Sequence, residues 1–372
     1  MRIERMEIFH LALPMRRPIR TPLGPTETLE TVVVRMEGAG ASGWGEASPG
    51  NGPWASPEWA RSVFDCLRDW LAPRLAGQSI DSGEELERLL SPFRGNHHAR
   101  AALDAAWWDL NARLQHRPLH QLLGGTRQAI EVGVSFDEME TIEALLEAID
   151  AAFQAGYGRV EVKMRPGWDL QMLNEVRHQF PTQTIHADVE AALTLNHMEI
   201  LYRLDDFSLA MVEQPLPADD LVGHAMVQEV IRTPLCLDEG IATVQQADMA
   251  MDLKSCQYVN IKPGRVGGLT PATAIHDVCQ QHNVPCFVGA MPQSAIGSRI
   301  GWALAAKANF SYPSEYVDSA ELLGDDLAEP IRPVRDGEQD TLKIRLWQGP
   351  GIGVEPDVAA LSRVALRKVS VP

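Results

Sequence analysis

Charged residues recur at a nearly constant spacing in the second half of the chain. Each one ends a short apolar run of the kind that forms a buried strand, and helix-like segments separate the runs. The successive separations are 25, 25, 25 and 24 residues. A strand followed by a helix, repeated at one period, predicts a closed (β/α) barrel rather than a doubly wound sheet. The five residues are Lys163, Asp188, Glu213, Asp238 and Lys262.

These five side chains are predicted to meet at one place. In a (β/α) barrel the carboxyl ends of the strands and the loops after them form the active site. Asp188, Glu213 and Asp238 would bring three hard oxygen ligands together, and carboxylates at such close range need a cation. Mg²⁺ fits best, with Mn²⁺ as a substitute. Lys163 and Lys262 flank the acids in strand order and would approach a metal-bound substrate from opposite sides, which suits proton transfer.

Composition narrows the classes of partner. The chain of 372 residues carries a formal net charge of −17 and has no run rich in Lys and Arg, which argues against a general binder of nucleic acid or of acidic membranes. The five cysteines form no CxxC pair, which favours reduced thiols. No apolar run approaches the roughly 20 residues of a membrane span, and the first residues lack a signal-peptide pattern. We therefore expect a cytoplasmic protein that acts on a small-molecule carboxylate.

The first part of the chain has a different pattern of apolar residues. "RIERMEIFHLAL" and "TVVVRMEG" read as strands, whereas "SPEWARSVFDCLRDWLAPRL" and "HHARAALDAAWWDLNARLQ" carry apolar residues at helical intervals. Seven strand-like runs that alternate with helical ones follow after about residue 130, from "EVGVSF" to "PCFVG". We therefore expect an α+β segment before the barrel.

Several motifs, in order along nearly the whole chain, carry a family resemblance. They are "GWGEASP", "RGNHHARAALDAAWWDL", "EVKMRPGWD", "HADVE", "VEQPL", "LCLDE", "NIKPGRVGGL" and "GPGIGVEPD". With them the chain resembles the enolase superfamily, and within its muconate-lactonizing group it is most similar to the o-succinylbenzoate synthase and N-succinylamino acid racemase family.

The resemblance implies a fold and a site. It implies a (β/α)₇β TIM-like barrel over residues 126–325, covered by an α+β capping domain over residues 1–125 that a C-terminal tail, residues 326–372, returns to complete. It also implies that the three acids hold Mg²⁺ and that the two lysines are an acid/base pair, which removes a proton α to a carboxylate and forms an enediolate held on the metal.

Two chemistries share that enediolate. In the dehydration that yields o-succinylbenzoate, a step in menaquinone biosynthesis, Lys163 would take the α-proton and then protonate the leaving hydroxide on the same face, while the charge of Lys262 stabilises the enediolate. In racemisation of an N-succinylamino acid, one lysine removes the α-proton and the other returns it to the opposite face. We take the synthase as the main interpretation, and a racemase or epimerase of the same family as the alternative.

Three residues depart from the family pattern. Glu161 stands where the family usually has the first lysine of a Lys-x-Lys pair, Glu190 stands where Asn is usual, and Gln293 where Glu is usual. A carboxylate at position 161 shares a strand face with Lys163 and is expected to raise the pKa of that lysine, so that activity rises toward alkaline pH. Glu190 is expected to repel a second, succinyl carboxylate.

Further residues are predicted beside the metal or the substrate. Glu239 and Arg265 are expected near the metal site, each with a plain ion pair as the alternative, and Met291 belongs with Gln293 in "GAMPQSAIG". Two loops are expected to close over the ligand and exclude water: residues 16–24, with Arg20 and Thr21, and residues 52–56, with Trp54.

Hypotheses from other classes remain open at this point. A Schiff-base aldolase would also place a lysine at a barrel strand end, but it would not need three metal-binding carboxylates. A non-catalytic binding protein on the same barrel is favoured by the unusual Glu161 and Gln293. A homo-oligomer, associated through capping domains or barrel helices, is also expected.

Overall fold

The computed structural model describes residues 1–21, 23–337 and 340–372, and for Arg20 it describes the backbone alone. The predicted role of the Arg20 side chain therefore lies outside the described part of the chain. The strands are β1 Arg5–Thr21, β2 Gly24–Gly38, β3 Ala41–Ala47, β4 Ala129–Phe136, β5 Arg159–Lys163, β6 Ile185–Asp188, β7 Val212–Glu213, β8 Leu235–Leu237, β9 Tyr258–Ile261, β10 Cys286–Val288, β11 Ser314–Glu315, β12 Val334–Asp336, β13 Thr341–Arg345 and β14 Ala365–Val371.

The helices lie between these strands. They are α1 Ala60–Cys66, α2 Ala72–Leu75, α3 Gly83–Leu90, α4 His97–Leu114, α5 Leu119–Leu122, α6 Ile142–Ala155, α7 Leu170–Gln179, α8 Met198–Arg203, α9 Leu221–Val230, α10 Val244–Leu253, α11 Pro263–Val266, α12 Leu269–Gln281, α13 Ala295–Ala305, α14 Ser319–Leu322 and α15 Val358–Val364. A π-helical turn, Leu67–Leu71, joins α1 to α2, and 3₁₀ turns flank α8 at Leu195–His197 and Leu204–Asp206. Within the described residues, no helix has both the length and the apolar character that a bilayer crossing requires.

The N-terminal strands form an antiparallel sheet that is buried on both faces. Its strand order is β14-β1-β2-β3. Because successive strand residues point to opposite faces, Ile8 packs with the helices of the N-terminal segment, whereas Phe9 and Leu11 pack into the core that continues into the barrel. Helix α4 lies directly on β3, where a Cβ atom added at Gly45 would lie 2.0 Å from the backbone oxygen of Ala102. Glycine at this position therefore permits the close packing of helix on sheet.

Eight parallel strands, β4 to β11, form the barrel. Strands β4 to β10 pair in chain order, and β11 pairs with β4 to complete the ring. Each of the seven connections between successive strands contains helix, with α11 and α12 sharing the connection from β9 to β10, so the predicted (β/α)₇β arrangement is confirmed. The seven predicted strand runs correspond to β4 through β10. The closing strand, Ser314–Glu315, was missed, because it directly follows Pro313 and no apolar run marks it, whereas the equally short β7 ends the run "LAMVE".

The C-terminal residues contact both parts of the molecule. Strand β13 pairs antiparallel with β4 of the barrel, and β12 pairs with β13. Strand β14 pairs with β1 of the N-terminal sheet. The predicted domain boundaries at residues 125 and 325 stay a prediction, because a chain segment that serves two cores does not define a unique division.

A buried carboxylate joins the N-terminal sheet to the barrel. Glu46, near the end of β3, accepts hydrogen bonds from the hydroxyls of Thr31 in β2 and of Ser48, which directly follows β3. It also accepts from the backbone N–H groups of Ser294 (3.1 Å) and Gly297 (2.8 Å) at the N-terminus of α13. A negative charge is favourable at a helix N-terminus. Glu46 therefore fixes the N-terminal segment over the end of the barrel where α13 begins.

We predict that Glu46→Ala destabilises the protein by about 2 to 4 kcal/mol, because it leaves the N–H groups of Ser294 and Gly297 buried without an acceptor. The midpoint of urea unfolding measures the effect. The exposed Glu175→Ala in α7 is the matched control and should change the unfolding free energy by less than about 0.5 kcal/mol. Equal midpoints for the two variants would contradict this account of Glu46.

Candidate active site

The five periodic residues lie at the ends of five neighbouring strands. Lys163, the last residue of β5, is in register with Asp188 at the end of β6, and Asp188 is in register with Glu213 at the end of β7. Asp238 and Lys262 directly follow β8 and β9. Neighbouring strands lie about 4.8 Å apart. The structure therefore arranges three acids in a row, with one lysine beyond each end of the row.

Cations hold the two outer acids. Lys163 Nζ lies 2.6 Å from Asp188 Oδ2, and Lys262 Nζ lies 2.8 Å from Asp238 Oδ2. Arg265 contacts the other oxygen of Asp238, so the ion pair that was the alternative for Arg265 is present.

Among the described residues, no lysine or arginine forms an ion pair with the central acid, and His186 Nε2 lies 3.4 Å from Glu213 Oε2. Glu213 Oε1 accepts a hydrogen bond of 2.8 Å from the Asn260 amide, and Glu213 Oε2 is buried without a hydrogen bond. The side chain is 1% exposed, so it is shielded from bulk solvent. Glu213 is thus the carboxylate that most needs a further positive charge.

The ionisation of the acids reflects this difference. Burial, together with the charges of Glu161 and Asp238, raises the pKa of Glu213 to about 8. Burial and the charge of Glu213 also raise the pKa of Asp188. Burial alone would raise the pKa of Asp238, but Arg265 and Lys262 outweigh it and lower that pKa. The carboxylates therefore lie close enough to oppose one another's ionisation, which is the electrostatic condition that a bound cation relieves.

Both lysines are held as ammonium ions. Burial would lower the pKa of Lys163, but Asp188, Glu161 and Glu190 together raise it well above its usual value. Burial is likewise outweighed at Lys262, where Asp238 raises the pKa. Glu161 thus acts on Lys163 in the direction predicted from the sequence.

A second group of ligand atoms lies one layer deeper in the barrel. Among the described residues, Glu161, His186 and Glu213 have ligand atoms within 4.8 Å of one another, close enough to hold a metal ion. Of the acids predicted as ligands, this group contains only Glu213. Its Glu161 is already paired with Arg159 at 3.0 Å and with Lys163 at 3.2 Å. Two cations beside the carboxylate reduce the negative charge that it can offer to a metal.

The negative charge of Glu190 lies close to two cations. Its backbone N–H donates to Asp188 Oδ1 at 2.9 Å, and the residue has a left-handed φ of 49°. Its side-chain oxygens lie 3.4 Å from Lys163 Nζ and 3.1 Å from Arg165 Nη2. The expected repulsion of a second substrate carboxylate is therefore weakened by two neighbouring cations.

A small cavity opens beside Lys262. Barrel residues line most of it, and Glu46, Ser48, Ala101 and Ala105 come from the N-terminal segment. The predicted residues Met291 and Gln293 line this cavity, together with Glu315 of the closing strand. Ile300 and Trp302 add apolar surface. This cavity is therefore formed jointly by the barrel and the N-terminal segment.

The remaining predicted residues are more peripheral. Glu239 follows Asp238, is half-buried, and has one oxygen without a hydrogen-bond partner among the described residues, and burial raises its pKa. Thr21 donates to the Gly24 carbonyl at 2.6 Å and so shapes the turn between β1 and β2. Trp54 is 40% exposed. Neither Thr21 nor Trp54 lines the cavity.

Sequence reasoning missed three residues that support the row of acids. Asn260 precedes Lys262 by two positions, and this same-face spacing is a signal that could have identified it. Gln214 accepts hydrogen bonds from the backbone N–H groups of Asp238 (2.9 Å) and Gly240 (3.0 Å), so it fixes the chain that carries Asp238. Glu315 accepts from a backbone N–H and lies on the closing strand, which no pattern predicted.

We predict that the metal-free protein loses stability as pH rises from about 5 to 8, and that Glu213→Gln reduces this loss by about 2 kcal/mol. The pKa of Glu213 is raised in the folded state, so the folded protein keeps a proton that the unfolded chain releases near its usual value of 4.5. Folding is then favoured at low pH and opposed as pH rises toward 8. Urea unfolding in EDTA at several pH values measures the slope, and parallel slopes for the two proteins would exclude this role of Glu213.

Comparison with known proteins is consistent with this geometry. A model described as "Mandelate racemase / muconate lactonizing enzyme, N-terminal domain" matches residues 4–124, and one described as "Enolase C-terminal domain-like" matches residues 144–360. An o-succinylbenzoate synthase from Geobacillus kaustophilus is 38% identical over 97% of this chain and 95% of its own length. An N-succinylamino acid racemase from Thermus thermophilus is 34% identical over 98% of both chains.

Solved structures show the same architecture. A member of the enolase superfamily from Listeria innocua superposes with a TM-score of 0.93 at 29% identity, covering 99% of this chain and 98% of that one. Muconate lactonizing enzyme from Pseudomonas putida, at 18% identity, shares the fold with a TM-score of 0.87 over 98% of this chain and 99% of its own. The protein belongs to the mandelate racemase / muconate lactonizing enzyme family of the enolase superfamily, together with enzymes named o-succinylbenzoate synthase and N-succinylamino acid racemase.

Proposed function

We propose that this protein is an o-succinylbenzoate synthase, a Mg²⁺-dependent lyase that dehydrates a hydroxylated cyclohexadiene carboxylate bearing a succinyl group. The observation that carries the proposal is the row of three strand-end carboxylates with a lysine beyond each end. The relatives named o-succinylbenzoate synthase support it, at 38% identity for Geobacillus kaustophilus and 33% for Bacillus subtilis.

Asp188, Glu213 and Asp238 are the residues that would hold Mg²⁺. The buried Glu213 oxygen without a hydrogen bond and the opposed ionisation of the acids support this assignment. An all-carboxylate set also suits Mg²⁺ better than the deeper group, which includes an imidazole and a carboxylate already paired with two cations. When bound, the ion would act as a Lewis acid that stabilises negative charge developing on the substrate carboxylate.

The two lysines have different roles in the dehydration. In the dehydration, Lys163 acts from its neutral amine form and takes the proton from the carbon α to the carboxylate. The ammonium ion formed in this way then gives the proton to the departing hydroxyl group. One C–H bond and one C–O bond break, water leaves, and the ring becomes aromatic. Lys262 remains an ammonium ion, and its charge stabilises the electron-rich intermediate from the other side. The N-terminal segment covers the cavity and limits access of water.

A racemase of N-succinylamino acids is the second candidate. The lysines lie beyond opposite ends of the row of acids, so one can remove an α-proton and the other can return a proton to the opposite face. Relatives named N-succinylamino acid racemase, from Thermus thermophilus and Amycolatopsis, are each 34% identical to this chain. Association into a homo-oligomer and a cytoplasmic location stay predictions.

Three assays on the purified protein separate these functions. The first follows formation of the aromatic product from the cyclohexadiene carboxylate, with Mg²⁺ and with EDTA. The second follows loss of optical rotation of N-succinylamino acids. The third follows exchange of the α-hydrogen in D₂O. Product formation that EDTA abolishes supports the synthase, racemisation without dehydration supports the second candidate, and absence of all three activities indicates a binding protein.

We predict that Lys163→Ala lowers kcat of the dehydration by about 10³-fold or more, because it removes the general base. Lys262→Ala should lower kcat through loss of a stabilising charge, by about 10²-fold. Stopped-flow or steady-state absorbance gives both values. A Lys163→Ala enzyme with nearly unchanged kcat would exclude the assigned role.

We also predict that Gly289→Ala inactivates the enzyme by about 10²-fold without unfolding it, because the lysine would be moved out of place. A Cβ atom at position 289 would lie 2.5 Å from Cε of Lys262 and 2.3 Å from Oδ1 of Asn260. At the distant Gly349 the same addition meets only ordinary contacts, starting at 3.6 Å. Gly349→Ala is therefore the control, and equal activity of the two variants would show that Lys262 does not depend on this space.

A further inference from the structure

Glu161 is a buried carboxylate with both oxygens occupied. It lies two residues before Lys163 on β5, faces the barrel interior, and is 3% exposed. Glu161 Oε1 accepts from the Ser135 hydroxyl at 2.8 Å and lies 3.2 Å from Lys163 Nζ. Glu161 Oε2 accepts from Arg159 Nη1 at 3.0 Å and from His186 Nε2, also at 3.0 Å. Four donors on two oxygens leave the carboxylate no freedom to rotate.

The arginine that anchors Glu161 is itself fixed. Arg159 is fully buried, donates from Nε to the Pro313 carbonyl at 3.2 Å, and lies over the ring of Phe287 at 5.4 Å. Space for its side chain comes from the neighbouring strand, where a Cβ atom at Gly133 would lie 2.3 Å from Arg159 Nε. Because Arg159 is itself fixed, its guanidinium group fixes the position of the Glu161 carboxylate.

The histidine on the other side is held in one tautomer. A carboxylate only accepts hydrogen bonds, so His186 Nε2 carries the proton that it donates to Glu161. His186 Nδ1 then accepts from the Tyr312 hydroxyl at 3.0 Å. Burial lowers the pKa of His186, which agrees with a neutral ring. Arg159 and His186 thus fix one oxygen of Glu161 and leave the other directed at Lys163.

We propose that Glu161 is a positioning residue for Lys163, and that its effect is confined to the face of the substrate that Lys163 serves. Lys163 Nζ lies between Glu161 Oε1 and Asp188 Oδ2, which are its two shortest contacts, and the exposed Glu190 lies farther away at 3.4 Å. Lys262 is held instead by Asp238, on the far side of the row. Glu161 positions Lys163 and not Lys262, because Glu161 and Lys163 lie on the same strand, β5.

The inference deepens the proposed function, on which its kinetic test rests. The variant is Glu161→Gln, which keeps the shape of the side chain. It replaces one acceptor oxygen with an NH₂ group, which then faces two hydrogen-bond donors and cannot accept from them. We expect kcat of the dehydration to fall by about 10²-fold with KM changed less than about 3-fold, because a displacement of about 1 Å in a reacting group costs this much. The exposed Glu175→Gln is the control.

Exchange of the α-hydrogen in D₂O tests the restriction to one face. The two enantiomers of an N-succinylamino acid present their α-hydrogens to different lysines, which Lys163→Ala and Lys262→Ala assign. Glu161→Gln should slow exchange of the Lys163-dependent enantiomer by about 10²-fold and change the other less than about 3-fold. Equal slowing of both enantiomers, or of neither, overturns the proposal.

A crystal structure of Glu161→Gln supplies a readout that does not depend on activity. We expect Lys163 Nζ to be displaced by more than about 1 Å or disordered, with Lys262 unmoved, and an unmoved Lys163 overturns the proposal. If the wild-type protein shows neither dehydration nor exchange, the proposed function fails, and this crystal structure still decides the role of Glu161. If Glu161→Gln does not fold, because Arg159 is left without its counter-charge, Ser135→Ala removes one donor and should loosen Lys163 in the same one-sided way.

Discussion

Negative charge concentrated at the carboxyl end of the barrel is the constraint on which the rest of this structure depends. Asp188, Glu213 and Asp238 lie on adjacent strands and are almost completely buried. Ionised carboxylates in such a place are stable only when each has a cation or several donors nearby. The lysines at the two ends of the row meet part of this need. They are therefore counter-ions of the resting site as well as the groups to which we assign proton transfer.

The same constraint reaches into the interior below the row. A (β/α) barrel is filled by layers of side chains, and here the layer beneath the site is polar rather than aliphatic. Glu161, His186 and Arg159 form a hydrogen-bonded group whose charges balance internally. A lysine in place of Glu161 would stand beside the guanidinium of Arg159, which is electrostatically unfavourable in a buried place. The departure from the usual Lys-x-Lys pattern is thus accommodated by specific neighbours.

The N-terminal sheet and the barrel are coupled at the cavity itself. Glu46 accepts hydrogen bonds from both parts, and it also lines the cavity beside Lys262. Glu46 therefore both fixes the N-terminal segment over the end of the barrel and forms part of the cavity wall. Gln293 lies nearby, where its amide oxygen approaches the position that a Cβ atom at Gly297 would take. A neutral side chain at position 293 avoids a second negative charge beside Glu46.

The barrel, seven of its eight strands and the row of five charged residues could be predicted from the sequence, because strand and helix periodicities are local and a regular repeat places strand ends side by side. The closing strand Ser314–Glu315 could not be predicted, because it directly follows Pro313 and no apolar run marks it. The contacts of each side chain were decided only by the tertiary structure. The partners Ser135 and Glu161 are 26 residues apart, and Asn260 and Glu213 are 47 apart. Which residues pair in this way depends on the register of the strands and on how buried charges compete for a few hydrogen-bond donors. Neither can be predicted from the local sequence.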